Sequence, residues 1–176
     1  MQRLFFSLKF SAVQQQQLLP YQQQALALCP GAKAVDNDNL HLTLFFLGQT
    51  DSEQQQRLIS AAEQIKLSPF SLTLDTLSCF AKPKILYLAP SQMPDALLQL
   101  QQQVAECCHA EGFSDIHDKY RPHITLARQA LLCAEQFQHR VMPLTLDVSE
   151  FALYLSESVN GKVRYSPLHI YRLGLV

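Results

Sequence analysis

Glycine is scarce in this chain, five residues in 176, and the scarcity removes whole classes of function. Neither G-x-G-x-x-G nor G-x-x-x-x-G-K-[ST] occurs, so no glycine-rich loop is present to cradle a dinucleotide or a nucleoside triphosphate. Charge of either sign is also thin. Fourteen Lys and Arg stand against fifteen Asp and Glu, a net of −1, so no bulk field draws the protein onto long nucleic acid or a membrane. Any anion it binds must be caught locally. No apolar run approaches the ~18–20 residues of a membrane span. The opening Met1 to Phe6 lacks the long apolar stretch of a secretory signal and reads as a strand. The cysteines are Cys29, Cys79, Cys107, Cys108 and Cys133. An odd count with no Cys-x-x-Cys argues against a disulfide framework or a zinc knuckle and predicts a reducing, cytoplasmic setting.

What remains is an ordinary globular chain. Hydrophobic residues make up 48% and charged residues 16%, and the length suits one domain, single or bilobal, with a sizeable core. Arg3 to Phe10 reads as a buried strand. Ser11 caps a helix toward Leu28 that Pro20 must kink or restart, and Cys29-Pro30-Gly31 ends it. Asp36 to Asn39 is turn chemistry before a strand over Leu40 to Leu47, closed by Gly48. A second helix runs from Thr50 or Asp51 to about Ile65, and a third from Ser91–Pro94 toward Gly112. Strands are predicted at Phe70–Leu74, Ile85–Ala89, Pro122–Arg128, Leu144–Val148, Glu150–Leu155 and Tyr165–Leu173, with a short helical turn at Leu131–Phe137. Asn160-Gly161 is a strong hairpin turn. Helices and strands in this order make an α+β fold. The glutamine clusters at 14–17, 22–24, 54–56 and 101–103 fall on helices and read as solvated faces. Vicinal Cys107-Cys108 reads as packing.

The informative feature is a phrase written twice. His41-Leu42-Thr43-Leu44 returns, 82 positions later, as His123-Ile124-Thr125-Leu126. Side chains alternate along a strand. Each copy therefore sets a histidine and a threonine on one face and two aliphatics on the other. Two such strands suggest a cleft with matching walls. An imidazole titrates near ~6.5 when unperturbed, so one ring can give a proton while another takes one. In-line cleavage of a phosphodiester requires both acts, on opposite sides of phosphorus. Thr43 and Thr125 are placed to donate to the non-bridging oxygens. Zinc ligation is the competing chemistry. It needs a third ligand, and His109, His117, His139 and His169 stand at no recognised spacing.

The two motifs, with Arg3-Leu4-Phe5-Phe6 at the start, Asn39-Leu40 and Phe46-Leu47-Gly48 around the first copy, and Arg121-Pro122 and Ala127-Arg128 around the second, resemble the two-histidine phosphoesterases. The similarity runs through nearly the whole chain, and is greatest to the bacterial RNA 2′,3′-cyclic phosphodiesterase branch, also called 2′-5′ RNA ligases. It implies one bilobal domain over 1–176 with pseudo-twofold symmetry, two antiparallel sheets flanking a central cleft and helices outside. It also implies cofactor-free and metal-free opening of a terminal 2′,3′-cyclic phosphate to a 2′-phosphate, with 2′-5′ joining as a minor reversal.

By that analogy His41 is the proton donor and His123 the proton acceptor, although near-identical motifs leave the two roles open to the residues alone. Arg128 matches a motif-end arginine, but strict alternation puts it on the face away from His123 unless the strand bulges near Ala127. Phe45, by parity on the His41 face, and Tyr120 are candidate stacking residues. Arg121 and Lys119 are candidate phosphate contacts. The implied partners are RNA ends or nucleotides carrying a 2′,3′-cyclic phosphate, with no membrane and a monomeric protein. Two alternatives remain open: another cyclic or 2′-5′ nucleotide, such as ADP-ribose 1″,2″-cyclic phosphate, and a non-catalytic binder of phosphorylated ends.

Overall fold

A computed structural model describes residues 1–80, 82, 84–130 and 137–174. Among the described residues, nine strands form one antiparallel sheet in the order β7-β4-β5-β6-β3-β1-β8-β9, with β2 added against β6. The strands are β1 (Gln2–Leu8), β2 (Lys33–Ala34), β3 (Leu42–Thr50), β4 (Phe70–Phe80), β5 (Ile85–Ala89), β6 (Ile124–Arg128), β7 (Gln138–Val148), β8 (Glu150–Val159) and β9 (Lys162–Arg172). The helices are α1 (Ala12–Gln17), α2 (Leu19–Leu28), α3 (Ser52–Ala62) and α4 (Asp95–Ala110). This is the α+β architecture the pattern predicts. The expected short turn over 131–137 falls, except for Phe137, outside the described residues.

The two expected sheets are one, joined at a single rung. Strands β3 and β6 pair only through Leu42 opposite Ile124, so the half β7-β4-β5-β6 meets the half β3-β1-β8-β9 there. The halves repeat one another. In the first, β1 leads through α1 and α2 into β3, its antiparallel neighbour. In the second, β5 leads through α4 into β6, again antiparallel to it. Each crossover helix then packs beneath the other half's motif strand, α4 under β3 and α2 under β6. Leu42, Leu44, Ile124 and Leu126 are buried against them, so these two helices lie on the face away from the histidines.

Local chemistry explains most boundaries. Ser11 and Asp51 each form a capping box with a glutamine three residues on, Gln14 and Gln54. Pro20 sits in the first turn of α2, where its missing N–H costs nothing, so the helix restarts rather than kinks. Asn160 and Gly161 both adopt positive φ, 53° and 77°, as a two-residue hairpin turn demands. Gly48 does not close its strand: with φ of 74° it lies within β3, which continues to Thr50. Strands β4, β7 and β8 also run longer than their alternating segments. Cys79, Cys107 and Cys108 are free thiols, and Cys108 is core. Cys29 is disulfide-bonded, contrary to the expectation of reduced thiols throughout. Among the described residues, no helix is long and apolar enough to cross a membrane.

Candidate active site

The rung between Leu42 and Ile124 registers the two motifs. Alternation on either side of it sends His41, Thr43, His123 and Thr125 to the face away from the helices. All four are partly exposed, whereas their aliphatic neighbours are buried. The two rings are held alike. His41 Nδ1 donates to the Asn39 carbonyl at 2.7 Å, and His123 Nδ1 donates to the Arg121 carbonyl at 2.7 Å. With Nδ1 carrying the proton in each neutral ring, Nε2 is the basic nitrogen. His41 Nε2 accepts from Thr43 Oγ1 at 2.9 Å in that tautomer.

Aromatic walls surround both rings. Phe5 and Tyr165 lie 5.0 Å from His41, Tyr165 edge-on. Phe80 and Tyr87 meet His123 at 5.1 and 5.4 Å, both T-shaped. These walls keep water from an imidazolium. Burial accordingly pulls the His41 pKa down from 6.5 to about 4, assisted by the charges of His123 and Arg128 and opposed by the Asn39 carbonyl. Burial also lowers that of His123, with the charges of His117 and Arg128 adding and the Arg121 carbonyl opposing. Arg128 thus acts on both rings, and each ring stands in the electrostatic reach of this one cleft.

Two β-bulges decide what else joins the face. Thr43 and Phe45 pair with consecutive β1 residues, Ser7 and Phe6, leaving Leu44 extra. Thr125 and Ala127 pair with consecutive β5 residues, Tyr87 and Leu86, leaving Leu126 extra. Each bulge reverses the parity of the residues beyond it. Phe45 is therefore core, 5% exposed and edge-on to His109, not a cleft residue as parity predicted. Phe46 takes that place at 44% exposed. Arg128, the condition met, comes to the open face.

A cavity of about 850 Å³ lies between the halves, lined by Arg3, Phe5, Lys33, Asp36, Asn39, Phe46, Arg128, Lys162 and Tyr165 among others. It is lopsided. Phe5, Asn39 and Tyr165, which hold His41, all line it, whereas Phe80, Tyr87 and Arg121, which hold His123, do not. Four basic residues against Asp36 make it cationic in a chain with no net basic charge.

None of His41, Thr43, His123 and Thr125 is among its lining residues, and the remaining candidates also sit outside it. Tyr120 donates its hydroxyl to the Thr43 carbonyl at 2.8 Å and packs on the core, so it braces the first motif strand. Arg121 is exposed and touches the site through its carbonyl. Sequence reasoning missed Phe46, Tyr165 and Asn39, whose side chain ties the motif to β9 by donating to the Val163 carbonyl at 2.8 Å and accepting from the Tyr165 N–H at 3.3 Å. Only the parity reversal could have signalled Phe46. Tyr165 and Asn39 meet across 126 positions, which no local pattern reports.

A model of the 2′-5′ RNA ligase superfamily matches residues 17–160. An Escherichia coli (strain K12) protein named RNA 2′,3′-cyclic phosphodiesterase is 33% identical over 168 residues, covering 95% of this chain and 94% of its own. A Bacillus subtilis protein of the same name is 32% identical over 94 residues, about half of each chain. The crystal structure of E. coli LigT complexed with 3′-AMP superposes with a TM-score of 0.86 at 30% identity, over 99% of both chains. With the repeated motif, its single-rung register and the shared fold, the chain belongs to the 2′-5′ RNA ligase superfamily of two-histidine phosphoesterases.

Proposed function

We propose that this protein hydrolyses a terminal 2′,3′-cyclic phosphate of RNA or a nucleotide to the 2′-phosphomonoester, using His41 as general acid and His123 as general base. One observation carries the reading: the two histidines stand immediately before neighbouring antiparallel strands, on one face, with Nδ1 of each tied to a carbonyl two residues upstream. That arrangement offers two Nε2 atoms to a single phosphoryl group. His123 Nε2 takes a proton from water as the new P–O bond forms. The P–O3′ bond breaks on the opposite side, and His41 Nε2 gives its proton to O3′. Thr43 and Thr125 donate to the non-bridging oxygens, and Arg128 offsets their charge.

The lopsided cavity supports the order of roles. A nucleoside in the cationic, aromatic-lined space lies on the His41 side. Its O3′ then leaves toward His41, and water arrives from the His123 side. Phe46 offers a face for the base, and Arg128, Lys33 and Arg3 suit phosphate oxygens. Incubation with adenosine 2′,3′-cyclic phosphate tests the proposal: the product should be adenosine 2′-phosphate, with turnover unchanged by EDTA. A 3′-phosphate product would reverse the assignment of the leaving oxygen, and unchanged substrate would leave a binder.

A further inference from the structure

Two glutamines are not where a polar helix face belongs. Gln22 of α2 and Gln101 of α4 are 7% and 9% exposed, although the other members of their clusters fit the solvated face the sequence predicts. Each points at the bulge of the motif strand above it. Gln22 Nε2 divides its two hydrogens between the Leu126 carbonyl and the Val35 carbonyl, both at 2.8 Å. Gln101 Nε2 makes a longer contact, 3.4 Å, with the Leu44 carbonyl. Leu126 and Leu44 are the extra residues of the two bulges. A bulge turns a ladder carbonyl away from its partner strand, and a buried carbonyl left alone is costly.

We infer that Gln22 is a positioning residue of the substrate cleft, acting through Arg128, with Gln101 its weaker counterpart for Phe46. The amide bridges two strands at the point where register is broken. Val35 also donates its N–H to Leu126 O at 2.9 Å, and the ladder then pairs Ala34 with Ala127 and Lys33 with Arg128. Gln22 thus locks the reversed parity that brings Arg128 to the cleft, alongside Lys33. Without Gln22, the Leu126 carbonyl keeps only the Val35 N–H, and the bulge loses part of its advantage over regular alternation, which would turn Arg128 away.

The inference rests on the proposed nucleotide site, so the test has an arm that does not need turnover. Wild type, Gln22→Met, Arg128→Ala and the double variant are assayed for kcat and KM on adenosine 2′,3′-cyclic phosphate, and for Kd of adenosine 2′-phosphate, at a temperature where melting curves show all are folded. Gln22→Met keeps the side-chain length and removes the donor. It should raise KM and Kd about tenfold, as for one hydrogen bond lost at the bulge, with kcat within about twofold. In the Arg128→Ala background it should add less than about twofold, within the error of additivity. Unchanged KM and Kd, a fall confined to kcat, or losses that multiply would overturn the inference. Should Gln22→Met not fold, Gln22→Glu decides. Burial raises its carboxyl pKa, and the protonated form restores one donor. Its KM relative to wild type should rise with pH, and a flat ratio overturns the role. A wild type that binds adenosine 2′-phosphate without turning over the cyclic substrate would sink the proposed activity and leave the Kd arm readable.

Discussion

A histidine that donates from Nδ1 to a fixed carbonyl has one nitrogen left for chemistry, and His41 and His123 share this construction. General acid or base assistance is worth ~10²–10⁴-fold per group. His41→Ala and His123→Ala should each lose about that in kcat, and the double variant should lose less than the product. Both rings resist protonation. Productive free enzyme holds one proton on the pair, so kcat/KM should peak below pH 6.5 and fall on the alkaline side. A maximum at pH 8 would contradict the electrostatics.

The same shift has a stability consequence with a definite sign. The unfolded chain takes this proton more readily, so the contribution of neutral His41 is complete above pH 6.5, drains as pH falls and is gone below about 4. Its size is about 3 kcal/mol at 1.36 kcal/mol per pKa unit. Acid titration of thermal stability should therefore be shallower in His41→Gln between those values.

At the scale of elements, the bulges matter more than the strands. Phe45→Ala should destabilise the fold by about 3–5 kcal/mol, as for a buried aromatic, while leaving substrate affinity of the folded fraction intact. Phe46→Ala should do the reverse, costing ~1–3 kcal/mol of binding as a lost stacking face with little change in melting temperature. Equal effects on both readouts for either residue would refute the parity reversal. Here lies the division between what the sequence discloses and what it hides. Alternation in His-x-Thr placed His41, Thr43, His123 and Thr125 on one face because strand period is local. It misplaced Phe45 because a bulge depends on the partner strand and on a glutamine from another helix. It misread Gln22 and Gln101 because helical periodicity cannot report which polar side chain meets a carbonyl above it. Asn39, whose role rests on β9, was read only as turn chemistry. Asn39→Ala removes two hydrogen bonds to β9 and should lower kcat by less than His41→Ala, since the carbonyl that holds the ring remains.

For the molecule as a whole, the swapped helices explain how two lobes keep one site. Each half's crossover helix supports the other half's motif strand, so the lobes cannot part without uncovering the core they share. The single rung at Leu42 and Ile124 is enough to fix register because that packing backs it from below. Symmetry supplies two equivalent bases, and the one-sided cavity makes them unequal. The most direct measurement is the pH profile of kcat/KM on adenosine 2′,3′-cyclic phosphate for wild type, His41→Ala and His123→Ala. Wild type should give a bell, His41→Ala should lose the alkaline fall, and His123→Ala should lose the acid fall, each at a much reduced rate. A variant that keeps both limbs at the wild-type rate would contradict the assignment of two histidines to one phosphorus atom.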